Sequence, residues 1–408
     1  SIDDLTSDIE VINQKILSLE KELNIVAINH ISQIEDYIFE LQSEFDVERI
    51  INTKQTEVDD KIVLLEGWVP NTKVSETEVE LDKIGVFYIT NKPQSSDKVP
   101  ILLKNNKFSK LFEPIGKLFS LPSYNEMDLT QFFAPFFMMF FGFCLGDLGY
   151  GIVLVLIATI LKPRMKKDMK PMLSLVQFLG IGTIVFGAIS GTLFGVNLIE
   201  TNIPAIANIQ KMFLDADAMF NLALVLGLIQ MIFGMILKSV NQLRQNGIAY
   251  AMPSIGWILL ILSLLDYALL KMTSGNSIYV TFLAIALIVW FSDPKGSVFS
   301  KIGKGIWELY GITGIFGDVL SYIRLFALGI SSAILGFVIN DIALQVKSGI
   351  PYAGPILFVV FLIIGHTGNL LIASLGAFVH PMRLTFVEFY KNAGFEGGGK
   401  EYRPLSKK

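Results

Sequence analysis

Residues 305–346 read GIWELYGITGIFGDVLSYIRLFALGISSAILGFVINDIALQV. As a single helix this apolar run would extend roughly 60 Å at 1.5 Å per residue, about twice the roughly 30 Å hydrocarbon core of a bilayer. It must tilt steeply, project from the membrane or include an interfacial piece. Arg324 lies well inside it with apolar neighbours on both sides, and an arginine at mid-span costs at least a few kcal/mol even on lenient insertion scales. A second run of similar length, residues 353–391, follows directly. Two overlong apolar segments, each carrying an arginine, direct the reading toward a membrane protein.

Composition agrees. Hydrophobic residues make up 52% of the 408 and charged residues 17%, where soluble domains carry about 25% charge. So little charge cannot cover a water-facing surface of normal size, which excludes a disordered chain, a disulfide scaffold and an ordinary cytosolic enzyme. The net charge is −4, and no basic stripe with interleaved aromatics is present, so nucleic acid is not an expected partner. The single cysteine, Cys144, sits in the apolar stretch FFGFCLGD and reads as packing. The chain opens Ser-Ile-Asp-Asp without an initiator Met, so the expectation is a fragment or processed chain lacking sequence before it.

Apolar stretches run approximately 130–144, 148–162, 171–195, 219–242, 252–272, 278–292, 305–346 and 353–391. The first two are short, and Gly146-Asp147-Leu148-Gly149-Tyr150-Gly151 between them reads as a turn. The basic loops decide the count. Lys162–Lys170 is strongly basic, Lys238–Asn246 holds Lys238 and Arg244, and Asp293–Lys304 holds Lys295, Lys301 and Lys304. Asn197–Ala218 instead carries Glu200, Asp215 and Asp217 with only Lys211. These loops fall on one side only if 130–162 crosses twice, which gives about eight spans with both termini in the cytoplasm.

The first 128 residues are soluble in character. Ile9, Ile12, Ile16, Leu19, Leu23 and Val26 follow a/d spacing, and the pattern resumes with Ile31, Ile34, Ile38, Leu41 and Phe45 after a slip at Asn29-His30. This predicts a coiled coil in two helical segments with a bend or break between them. Lys61–Val69 predicts a strand, Ser75–Ile84 a helix and Val86–Thr90 a second strand, hence a small α/β lobe with a right-handed crossover. The lobe has no nucleophile–base pair, metal-ligand cluster or phosphate loop, so binding or scaffolding is its expected work. The fold class is therefore mostly α: a cytoplasmic coiled coil with a small α/β lobe (1–128), a transmembrane domain (129–395) whose last two helices are long and tilted, and a cytoplasmic tail (396–408).

Arg324 has two readings: a packing ion pair with Asp318 or Glu388, or a counter-ion in an ion pathway. In the final segment His366, Asn369, Ala373, Gly376, His380, Arg383 and Val387 step by three and four, so they share one helical face. A polar stripe on an apolar helix is either interhelical glue or the lining of a wet half-channel.

FGDVLSYIRLFALG around Arg324 and GHTGNLLIASLGAFVHPMRLTFVEFYKNAGFEGGGKEYRPL at the C-terminal end resemble the membrane subunit of V-type and A-type rotary ATPases, called a in eukaryotes and I in prokaryotes. LLEGWVP at 64–70, VPILLKNNKFSKLFEPI at 99–115 and FFGFCLGDLGYG at 140–151 add to the likeness, and the EGGG-containing tail is similar to the prokaryotic form. The resemblance implies a stator in a prokaryotic cell membrane. Its two long helices would curve against a rotor ring of proteolipid subunits, with a half-channel leading to each side. It implies that Arg324, whose guanidinium is always charged, displaces the proton or sodium from a ring carboxylate and blocks a direct leak. Arg383 and His380 match a second motif of the family. Many relatives carry Glu where this chain has Ala373, so an acidic station there must be replaced, for example by Ser374, Asn369 or His366 with water.

The candidate ion-path residues are thus Arg324, Arg383, His380, Asp318, Ser321, Glu388, His366 and Asn369. The partners implied are the rotor ring, the E–G heterodimers of the peripheral stalk, the other V/A-ATPase subunits, the transported proton or sodium, and the bilayer. No cofactor is expected, and no Walker motif gives the chain an ATP site of its own. A secondary transporter is the alternative in another class, though no internal repeat supports it. A membrane scaffold with packing arginines is the third reading.

Overall fold

The computed structural model describes residues 2–52, 55–57, 62–94, 97–197, 216–267, 277–349 and 352–404. The chain divides into two compact units, one from residues 1–94 and 401–408 and the other from residues 95–400.

In the first unit, α1 (Ile2–Asn52) is one uninterrupted helix of 51 residues. The break expected near Asn29-His30 does not occur. No Pro or Gly lies between Ile2 and Asn52, and a slip in heptad register rotates the apolar stripe without breaking backbone hydrogen bonds. That stripe stays exposed at Ile12, Ile16, Leu23, Ile34, Ile38 and Leu41. The α/β lobe also differs from expectation. β1 (Gln55–Glu57) and β2 (Ile62–Leu64) pair antiparallel as a hairpin; Lys61 lies outside the described residues. α2 (Val74–Ile84) follows as expected and is closed by Gly85. Val86–Thr90 forms no strand, so no strand–helix–strand crossover forms among the described residues. Val86, Phe87 and Ile89 are all exposed: the β-like pattern found no sheet face to cover.

In the second unit, α3 (Glu113–Phe119) precedes a set of apolar helices. These are α4 (Thr130–Leu145), α5 (Leu148–Leu161), α6 (Lys170–Ser190), α7 (Ala216–Asn246), α8 (Ile248–Leu265) and α9 (Ser277–Phe291). The turn expected between 144 and 148 is present at Gly146 and Asp147. The stretch read as 171–195 is helical only to Ser190, after which β3 (Thr192–Leu193) and β4 (Val196–Asn197) make a two-residue-per-strand hairpin. The acidic loop after Asn197 lies largely outside the described residues.

Both final segments are overlong and irregular. Val298–Gly349 spans 52 residues and breaks into α10 (Val298–Leu309), α11 (Ile312–Ser321) and α12 (Ile323–Gly349). Gly354–Ala393 spans 40 residues as α13 (Gly354–Arg383), a π-helical stretch (Leu384–Phe389) and α14 (Tyr390–Ala393). Pro381, just before this stretch, lacks the N–H that would bond the Ala377 carbonyl, and its own carbonyl accepts from Thr385 Oγ1 at 2.9 Å. Five helices are long and apolar enough to cross a membrane, and Thr130–Leu145, Leu148–Leu161 and Ile278–Phe291 are shorter apolar helices. The protein is multi-pass.

The largest core is aromatic. Phe112, Phe133, Phe137, Phe140, Phe143, Tyr322 and Phe389 are fully or almost fully buried, with edge-on contacts such as Phe112–Phe137 at 6.0 Å and Phe140–Tyr322 at 5.9 Å between centroids. Apolar burial alone does not hold helices together in lipid, so van der Waals fit of such rings carries the packing. A second cluster joins Met231, Met235, Trp257, Leu260, Ala284 and Ile288 of α7, α8 and α9.

Candidate functional site

Arg324 sits in the first turn of α12, immediately after the break at Tyr322. That break is packed hard. The Tyr322 ring lies so close to Gly227 of α7 that a Cβ there would come within 2.2 Å of it, and Tyr322 Oη donates to Gln230 Oε1 at 2.8 Å. Tyr322, two residues before the arginine, is therefore fixed by α7, and the start of α12 is held with it.

Around it, the charges do not pair as the sequence suggested. Arg324 Nη1 is buried without a hydrogen-bond partner, and so is Glu388 Oε2 in the π-helical stretch, a residue 2% exposed. Electrostatically the two groups feel each other, and Arg324 also feels Arg383. Asp318 is taken elsewhere. Lys391 Nζ donates to both its carboxylate oxygens at 3.0 Å, and Asn392 Nδ2 adds a third bond at 3.0 Å. Asp318 is thus not the partner of Arg324, because a cation and an amide from α14 already occupy both its oxygens. Ser321 donates to Gly317 O at 3.1 Å and stands against the Glu388 carboxyl. Leaving a buried donor or acceptor unmade costs about 1–3 kcal/mol, more where it is charged. Two such orphans of opposite sign on neighbouring elements mark a place where the chain is not self-sufficient.

Arg383, at the end of α13, is exposed, and His380 one turn earlier is half-buried. Both arginines lie within electrostatic reach of His380. This end of the predicted stripe therefore joins the Arg324 group, and Val387 beyond it is exposed.

The other end does not. His366 and Asn369 enter a separate network with residues that sequence reasoning missed. Tyr150 Oη and His366 Nδ1 are 2.8 Å apart, and His366 Nε2 meets Asn340 Oδ1 at 3.0 Å. Asn369 Nδ2 donates to Tyr150 Oη at 2.8 Å and to Ser332 O at 3.2 Å. Since Asn340 Oδ1 only accepts, His366 carries its proton on Nε2, and Nδ1 accepts from Tyr150. Asn340 Nδ2 in turn donates to Phe194 O at 2.7 Å. Asp147, the N-cap of α5, gathers the backbone N–H groups of Tyr150, Phe194 and Gly195 at 3.1, 2.9 and 2.8 Å. The hairpin can approach this closely because Gly195 faces Gly336; a Cβ on Gly195 would lie 2.3 Å from the Gly336 carbonyl carbon. Asn369 and His380 are separated by about 16 Å of helix rise, so the single stripe read from spacing serves two polar groups.

The only sequence signal for the missed residues was their polarity inside apolar runs, as with Gln230, Asn340 and Lys391. The GDLGYG turn was noticed as a turn, and its Asp147 and Tyr150 proved to organise the second network. Among the described residues no group of three or more His, Cys, Asp or Glu could hold a metal ion.

Comparison with known proteins converges on one assignment. Residues 1–177 match the model of the V-type ATPase 116kDa subunit family. The chain is 28% identical over 382 residues to the A-type ATP synthase subunit I of Methanocaldococcus jannaschii, covering 85% of this chain and 55% of that protein. It is 26% identical over 427 residues to the V-type ATP synthase subunit I of Borreliella burgdorferi, covering 98% and 70%. It is 30% identical over 349 residues to the A-type ATP synthase subunit I of Methanothermobacter thermautotrophicus, covering 83% and 51%. The chain thus spans about half the length of two of these relatives. The family match over residues 1–177 and these relatives along most of the chain show what it is similar to: the subunit I proteins of V-type and A-type ATPases.

Proposed function

We propose that this chain is the stator of a V/A-type rotary ATPase, passing protons or sodium between itself and a proteolipid rotor ring. The observation that carries the reading is Arg324: its Nη1 is buried and without a hydrogen-bond partner, and Asp318, six residues before it, is already bound by Lys391 and Asn392. A guanidinium kept in this state needs an anion from another chain, and a ring carboxylate supplies one. As each ring subunit passes, the arginine pairs with the carboxylate and displaces its ion. The exposed Arg383 shares that face. His380, Glu388 and Ser321 line the approach from the cytoplasmic side, while His366 and Asn369 with Tyr150 line the other. The acidic station that Ala373 does not provide is replaced by this second, uncharged network. The chain crosses the membrane eight times with both termini in the cytoplasm, and its N-terminal helix and hairpin bind the E–G peripheral stalk so that torque is resisted.

The test is Arg324→Lys in the assembled complex, reconstituted in vesicles. Lysine keeps a charge but is a compact, strongly hydrated ammonium that loses its proton when buried. The variant should assemble normally and lose nearly all ATP-driven ion uptake. Full coupled uptake would reduce Arg324 to a packing residue.

A further inference from the structure

Helix α10 (Val298–Leu309) is amphipathic in a way the ion path does not use. At 3.6 residues per turn, Val298, Phe299, Ile302 and Ile306 fall within an arc of roughly 100°, with Ser300, Lys301, Lys304 and Glu308 on the far side. The polar side is tied down. Ser300 Oγ and Lys304 Nζ reach Asp293 Oδ2 at 2.8 and 2.7 Å, and Ser292 Oγ donates to Glu308 Oε2 at 2.8 Å. Gly305 is the buried seat of the helix, so close to Val289 of α9 that a Cβ would come within 2.5 Å of its Cα. The apolar arc has no such cover: Phe299 is 91% exposed and Ile306 62%.

We propose that α10 lies in the plane of the cytoplasmic membrane surface, its apolar arc in the acyl boundary and its lysines on anionic phospholipid headgroups. This rests on the reading of the chain as a membrane protein but not on any role for Arg324. Three observations select lipid as the occupant. The helix stands between the apolar ends of α9 at Phe291 and α11 at Ile312, so only the polar turn 292–297 separates it from membrane-crossing segments. A straight 52-residue span would run roughly 78 Å, far more than the bilayer accommodates, and α10 is the part whose two-sided character suits an interface. Finally, Lys301 Nζ lies 5.4 Å from the centroid of the Trp290 ring, a cation beside an indole of the kind found at headgroup depth. Lys304 is neutralised by Asp293, so Lys295 and Lys301 carry the attraction to anionic lipid.

Spin labels on Phe299→Cys, Lys304→Cys and the control Ile229→Cys of α7, each in a Cys144→Ala background of the full chain, test this. The vesicles are phosphatidylcholine with or without a minor fraction of phosphatidylglycerol. The label at 299 should be reached by oxygen and shielded from a water-soluble nickel reagent, while the label at 304 shows the reverse. A label at 299 open to nickel, or shielded from both reagents by protein, overturns the proposal. If the label at 229 is also open to nickel, the membrane reading itself falls, and the proposal with it. Lys295→Gln and Lys301→Gln should each lower the preference for spin-labelled phosphatidylglycerol over phosphatidylcholine by about fivefold; an unchanged preference removes the lysines from the proposal.

Discussion

The membrane unit holds two polar groups, and they differ in one respect that matters. Around His366, every donor named finds an acceptor inside the chain, from Tyr150 through Asn369 and Asn340 to the hairpin backbone. Around Arg324, a guanidinium nitrogen and a carboxylate oxygen are both buried and unmatched. Polar groups buried away from water are normally satisfied, and charges within membranes are retained where they serve function. The first group explains itself as structure. The second makes sense only with something added.

This contrast is open to attack by mutation. Tyr150→Phe should give the largest loss of stability, because the hydroxyl holds His366 and Asn369 at once. Stranding those groups costs about 1–3 kcal/mol, read as earlier thermal unfolding of the detergent-purified chain. An unchanged unfolding temperature would mean that the network is not self-supporting and would blur the distinction. Arg383→Lys should have a smaller effect, and on transport rather than folding. Arg383 is exposed, so a hydrated ammonium replaces it with less harm than at Arg324; partial ATP-driven uptake is expected, and loss as complete as that of Arg324→Lys would make the two arginines equal.

The smallest effect concerns a salt bridge outside both groups. Hydrogen bonds from Lys304 and then Ser300 hold the Asp293 carboxyl below the usual carboxylate range. A carboxylate lowered in the folded state adds stability above its unfolded pKa, about 3.9, and loses it as pH falls through the folded value. Asp293→Asn should therefore be less stable than the parent at neutral pH and indistinguishable from it in strong acid. A difference that persists in acid would show that the side chain acts through shape and not charge.

How much of this was legible beforehand depends on distance along the chain. Apolar runs and the oddity of Arg324 are local facts, and each of the eight apolar stretches contains helix where it is described. Periodicity also placed His366 and Asn369 with His380 and Arg383 on one face. It could not show what each part of that face would meet, because Tyr150 lies 216 residues from His366 and Lys391 lies 73 from Asp318. Asp318 is one of the two partners that the packing reading offers Arg324, being near in sequence, yet α14 brings it a better one. The crossover lobe failed for a related reason: strand-like patterning in Val86–Thr90 says nothing of whether a sheet edge is there to receive it. The slip in the α1 heptads reads as a bend or break, although no Pro or Gly lies there to break the helix.

The central claim is that the partner of Arg324 lies outside this chain. It is tested most directly by Arg324→Met, measured twice on the same variant: thermal unfolding of the purified chain, and ATP-driven ion uptake by the assembled complex. Removing one member of a buried, hydrogen-bonded pair costs about 3–5 kcal/mol, whereas a guanidinium whose Nη1 makes no hydrogen bond and which meets Glu388 only electrostatically costs the isolated chain much less when removed. The prediction is an unfolding temperature close to that of the parent, together with abolished uptake. A markedly lowered unfolding temperature with uptake preserved would contradict it.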